Sequence, residues 1–176
     1  MTMNTVLPPP VGPRADAWLR LALTPAGPWS RLNGAWWPRS HDLSAELPSL
    51  IAELDRAWGR ITRAAVHGPA WSGLHHDSPA GSHCVHVSWY DNTQDPHAIS
   101  LFSYRIGSWE LLVVPPATDP RRAALLMAAA ARPGNHQAAE TLLADGPERA
   151  DVPHRGRIRV RTWHGRGAAD PALPMG

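Results

Sequence analysis

The chain has 176 residues, 43% of them hydrophobic and 18% charged, with a formal net charge of +2. Those values fit one globular domain with a core of its own, and they exclude two large domains or a wholly disordered chain. All 17 basic residues are arginines, which removes Schiff-base lysines and Walker lysines, while the lone Cys84 removes internal disulfides and repeated-cysteine zinc motifs.

Residues 1–16 carry Pro8, Pro9, Pro10 and Pro13 and read as an extended, flexible lead-in. No run approaches about 18 apolar residues, and the apolar start at Val6 is broken by prolines with no basic residue before it. Neither a membrane span nor a secretory signal is expected, and a cytoplasmic location is. The domain is predicted over residues 17–145. Its first strand takes in Trp18, Leu19, Leu21 and Leu23, ending at Pro25, Gly27 and Pro28. Asn33-Gly34, a pair that accepts positive φ, leads into a short strand through Trp36 and Trp37 that stops at Pro38.

From Asp42 the period changes. Leu43, Leu47, Leu50, Ile51, Leu54 and Trp58 fall on one helical face, with Ser40 or Asp42 as cap and Gly59 at the C-terminal end. Pro48 marks either the first turn or a kink. A strand follows from Arg60 to Val66, then a long loop over 68–82 containing Trp71, His75 and His76. Val85, Val87 and Trp89 alternate with Cys84, His86, Ser88 and Tyr90, which describes a strand with one open face. Ile99 to Ser103 and Trp109 to Val114 complete a predicted three-strand meander. Asp119-Pro120 opens a second helix running toward Pro133-Gly134, and Asn135 to Leu143 offers a short third. Residues 146–176 hold six arginines with Pro and Gly and read as a tail in which Arg157, Arg159 and Arg161 alternate with Ile158 and Val160.

This order predicts the α+β class: an antiparallel sheet of five or six strands with two or three helices on one face. Nine tryptophans against one Phe and two Tyr are too many for such a core, so several must lie at the surface or in a cleft.

The segment Asn33-Gly34-Ala35-Trp36-Trp37-Pro38-Arg39-Ser40, then Asp42-Leu43, Glu46-Leu47-Pro48, Trp58-Gly59-Arg60-Ile61, Trp89, Asp95-Pro96-His97 and Leu111 to Pro116 with Thr118, resembles an actinobacterial family known as domain of unknown function 5994. The resemblance covers roughly residues 17–131. It departs at Asn33, where the family tends to Asp, and at His41, where it tends to Arg. It implies an architecture and an actinobacterial source, and no activity, substrate or cofactor.

Trp36, Trp37, Arg39, His41 and Asp42 crowd a strand end and a helix start, where backbone donors attract an anion. Arg39 shares the strand parity of Trp37 and is expected against its ring or beside the helix starting near Asp42. His86 and Tyr90 add candidate positions on the open sheet face, and Asp95 and His97 form either a turn or an acid–base pair. The histidines lack metal-ligand spacing, so neither a metal nor a cofactor is expected. The preferred reading is a non-catalytic binding or protein-interaction module, its partner a small anionic ligand or a protein. A hydrolase using loop histidines, metal-assisted or not, is the rival. Nucleic-acid binding through the arginine tail is disfavoured because Glu148, Asp151 and Asp170 dilute its charge.

Overall fold

The computed structural model describes residues 19–92, 95–104 and 106–146. Trp18, the expected lead-in and all but the first residue of the expected tail lie outside them. The strands are β1 (Leu21–Leu23), β2 (Gly34–Trp36), β3 (Arg63–His67), β4 (Asp77–Ala80), β5 (His83–Tyr90), β6 (Ala98–Ser103) and β7 (Gly107–Val113). The helices are α1 (Leu43–Trp58), α2 (Pro120–Ala130) and α3 (Ala139–Asp145), with a 3-10 turn at Gly68–Ala70.

The class is α+β, and three details of the expected sheet are corrected. Seven strands, not five or six, form one sheet in the order β1-β2-β7-β6-β3-β5-β4. It is mixed: β2 runs parallel to β7 and β3 parallel to β5, while the remaining pairs are antiparallel. The meander is broken because β3 inserts between β5 and β6. The segment expected to be loop contains β4, whose Pro79 faces Cys84 across the ladder. A proline without an N–H survives there because β4 is an edge strand.

The helices cover both faces of the sheet rather than one. Leu43, Leu47, Leu50, Ile51 and Leu54 of α1 pack with Trp36, Val66, Val85, Val87, Leu101, Leu111 and Val113. Ala123, Leu126 and Ala130 of α2 and Leu142 of α3 pack with Ala35, Ala98, Leu112 and Val114. Strand alternation sends Ala35 and Trp36 to opposite sides, and the unbroken run Leu111 to Val114 is buried on both. Continuous apolar runs of this kind mark a strand sandwiched between two layers.

α1 starts at Leu43 with Asp42 as its cap, so Pro48 lies inside the helix. Gly59 ends it at φ +82°, its N–H bonded to the Asp55 carbonyl. Asp119 caps α2, and Pro120 occupies the first turn, where a missing N–H costs nothing. Of the described tryptophans only Trp36 is fully enclosed, and Trp29 is 71% exposed.

Candidate functional site

The β2–α1 junction is where the sequence predicts an anion pocket. Trp36 is 0% exposed and stacks on Trp71, ring centroids 5.4 Å apart at 14°. It belongs to the core and reaches no solvent. Trp37 lies on the opposite side, and Arg20 holds its ring: the Arg20 Cζ sits 3.6 Å from the ring centroid. The reason is the β1–β2 register. Leu21 pairs with Trp36, which brings residue 20 opposite residue 37, and the Trp37 N–H donates to the Arg20 carbonyl at 2.9 Å. Arg20 also donates from Nε to the Trp37 carbonyl at 2.9 Å and from its terminal nitrogen to the Pro38 carbonyl. Burial lowers the Arg20 pKa, the nearby charge of Arg39 lowers it further, and Glu46 opposes both. Arg39 itself is exposed. Arg20→Ala is expected to cost about 1–2 kcal/mol in urea unfolding, with Arg20→Lys intermediate because it keeps the charge and loses the planar stack.

The donors at the start of α1 are already in use. Asp42 Oδ1 accepts from the Ser44 N–H at 3.0 Å, the Ser44 hydroxyl at 2.7 Å and the Ala45 N–H at 3.4 Å. Its own carboxylate thus takes the place in which an external anion was expected. His41 is exposed and donates from Nδ1 to the Ala70 carbonyl at 3.1 Å, and Ser72 bonds to the His41 and Leu43 backbone. The Ser44 hydroxyl is the chief cause holding the Asp42 carboxyl below its usual pKa. A depressed carboxylate stabilises the fold above its unfolded pKa of about 3.9, and that contribution is lost as pH falls through the lower folded value. The stability gap between wild type and Asp42→Ala is therefore expected to be constant above about pH 5 and to close on further acidification, read from urea midpoints across pH.

Asp95 accepts from the His97 N–H at 2.9 Å through Oδ1 and from the Glu140 N–H at 3.1 Å through Oδ2. It closes the turn before β6 and caps α3 from outside the helix. His97 lends its carbonyl to the Val113 N–H.

His86 and Tyr90 lie on the side of the sheet that carries α2 and α3, beyond the reach of those helices. Register defines cross-strand rows there: Asp77, His86, Arg63, Phe102 and Ser108 form one, and Ser88, Ala65, Ser100 and Glu110 the next. Rows on one face are about 7 Å apart, so the small second row leaves a trough beside the larger first. Phe102 is 37% and Tyr90 48% exposed. A depression of about 460 Å³ lies on the Arg63 and His86 side of Phe102, reaching Tyr104. A larger one of about 670 Å³ lies on its other side, between the 24–33 loop and the edge of β7 that β2 leaves unpaired.

Short hydrogen bonds fasten that loop. The Thr24 N–H donates to the Asn33 carbonyl at 2.9 Å, closing its base, and the Arg31 N–H donates to the Asn135 carbonyl at 2.8 Å. Asn33 bonds both ways with Glu110, its N–H to the Glu110 carbonyl at 2.7 Å and its Oδ1 accepting the Glu110 N–H at 2.9 Å. Trp29 stacks on His136 at 5.3 Å. The larger depression is lined by Phe102, by the parallel pair Trp58 and Trp109 (4.8 Å, 7°), and by Arg31 and Glu110. Burial is the main cause that raises the Glu110 carboxyl pKa; Asp95 adds to it and Arg31 opposes it. Sequence reading missed this cleft. Glu110 gives no local signal, being a single acidic residue in an apolar strand.

The ring hydrogen bonds of His41, His83 and His86 go to backbone carbonyls and to Asp77. Buried His83 donates from Nε2 to the Ile61 carbonyl at 2.8 Å and lies 3.7 Å from Asp55 Oδ2. His86 Nδ1 is 3.5 Å from Asp77 Oδ1, and His76 stacks on Trp89 at 4.3 Å. Among the described residues no group of three His, Cys, Asp or Glu side chains is placed to hold a metal, and no helix is long and apolar enough to cross a membrane. No curated protein and no solved structure matches the chain. Residues 20–130, which span β1 through α2, match the family of unknown function DUF5994, and the chain belongs to that family.

Proposed function

We propose that the domain is a non-catalytic binding module whose ligand, a small molecule, sits on the part of the sheet that α2 and α3 leave open. The observation that carries this reading is the pair of depressions flanking Phe102, about 460 and 670 Å³, each within the size range of ordinary ligand sites. Arg63 and His86 serve one, Glu110 the other, and Tyr90 stands in the row beyond. A hydrolase has less support, because the histidine hydrogen bonds among the described residues go to the Ala70 and Ile61 carbonyls and to Asp77, not to a serine or cysteine. The arginine tail is not needed for this role, and residues 17–145 are proposed to bind on their own.

The test is a fragment screen by amide chemical-shift mapping on the wild type, Phe102→Ala and Arg63→Ala. Both side chains are on the surface, so both variants should keep the fold. Hits that shift residues 63, 86, 100, 102 and 110 and vanish in either variant support the reading. Hits confined to other surfaces, or unchanged by both substitutions, overturn it.

A further inference from the structure

The cleft beside β7 has a chemistry more specific than its size. The Glu110 side chain is half-buried, and among the described residues its carboxylate makes no hydrogen bond and no ion pair within 4.0 Å. Arg31 lines the same cleft and acts on Glu110 only through its field. The backbone on both sides is fixed: Asn33 clamps the Glu110 peptide from the loop, while Ser100 faces it across β6. The carboxylate therefore cannot relieve its partial desolvation by moving out with the strand. Phe102 lines the cleft from the Glu110 face of the sheet, Trp29 from the loop, and the stacked pair Trp58 and Trp109 from the α1 side around the unpaired edge of β7.

We infer that this cleft binds a small organic cation, an ammonium or guanidinium group on an apolar body, with Glu110 as its counter-ion and Phe102, in the neighbouring row of the same sheet face, as the ring beside it. An ionised carboxylate makes its strongest hydrogen bonds to charged donors, and the faces of aromatic rings attract the same charge. A neutral polyol would meet the carboxylate with bonds about half as strong and gain nothing from the ring quadrupole. An anion would meet Glu110 directly. The inference rests on the binding role proposed above and assigns the ligand class for one of its two depressions. Arg31 is the internal competitor, and removing it should favour the ligand.

The experiment titrates the full chain with benzylammonium, its neutral analogue benzyl alcohol and the anion phenylacetate in an amine-free buffer, read by calorimetry and by tryptophan fluorescence. Wild type is expected to bind benzylammonium on the order of tenfold more tightly than benzyl alcohol, with phenylacetate weakest. Glu110→Gln should bring the first two together, and Arg31→Ala should tighten the cation alone. Acidification should weaken the cation as Glu110 protonates, with Arg31 and Asp95 the charged neighbours that set where this happens. Glu110→Gln should keep the fold and melt no lower than wild type at neutral pH, because it removes a charge that burial disfavours. Equal affinity for cation and alcohol, cation binding that survives Glu110→Gln, or no cation binding up to about 10 mM would overturn the assignment. Should fragments be lost on Phe102→Ala while the cation arm fails, the binding role stands and its charge class falls.

Discussion

Replacing Trp36 by alanine is expected to cost about 3–5 kcal/mol, a large part of the roughly 5–15 kcal/mol that holds a domain together. Trp36 is the largest fully buried side chain in the structure, and its ring lies between the apolar stripe of α1 and the face of Trp71. Truncation removes the transfer free energy of an indole and leaves a cavity that the flanking sheet cannot close, because β2 is held on both sides by β1 and β7. Trp36→Phe refills most of the space and should cost less than half as much. Chemical denaturation of the two variants measures both losses. A cost under about 1 kcal/mol for alanine would place the indole outside the core and reopen Trp36 as a ligand platform.

That the tryptophan pair divides into a core residue and an arginine-held one was half legible. Alternation along a strand separates Trp36 from Trp37, but it does not say that Arg20 reaches Trp37. Arg39 lies two residues away and shares its parity; Arg20 lies seventeen residues away and is brought there by the register of β1 against β2. The same division runs through the fold. α1, its Asp42 cap and its Gly59 terminus depend on neighbours within four residues, so periodicity and capping chemistry find them. The insertion of β3 between β5 and β6 is set by pairing partners far apart in sequence, and no local pattern in Ala64-Ala65-Val66 announces it. The open face was legible at His86 and Tyr90 by parity alone. Glu110 was not, because what makes it distinctive is its bonding to Asn33, 77 residues earlier, and the shelter of a loop whose course no periodicity describes.

Gly34→Ala is expected to lower stability by more than about 2 kcal/mol, although it adds one methyl group to a three-residue strand. Gly34 has φ +144°, which costs any other residue strain of about 1–3 kcal/mol. The space is closed as well: a Cβ there would lie 2.1 Å from the Ala22 carbonyl oxygen and 2.9 Å from the Leu23 Cα, both backbone atoms. Neither can rotate away, so β1 must separate from β2. Leu23 pairs with Gly34 and Ala22 with Ala35, and the same displacement would draw Arg20 off Trp37. Gly81 provides the control. Its φ of +63° imposes conformational strain too, but a Cβ there meets nothing within 4 Å, so Gly81→Ala should cost only about 1–2 kcal/mol. The excess of the first loss over the second isolates the close approach of β1. Arg20→Ala made on top of Gly34→Ala should then add less than it costs in the wild type, since the stack it removes is already loosened. Equal losses at Gly34 and Gly81, with full additivity for Arg20, would mean that β1 does not press on β2 at this point.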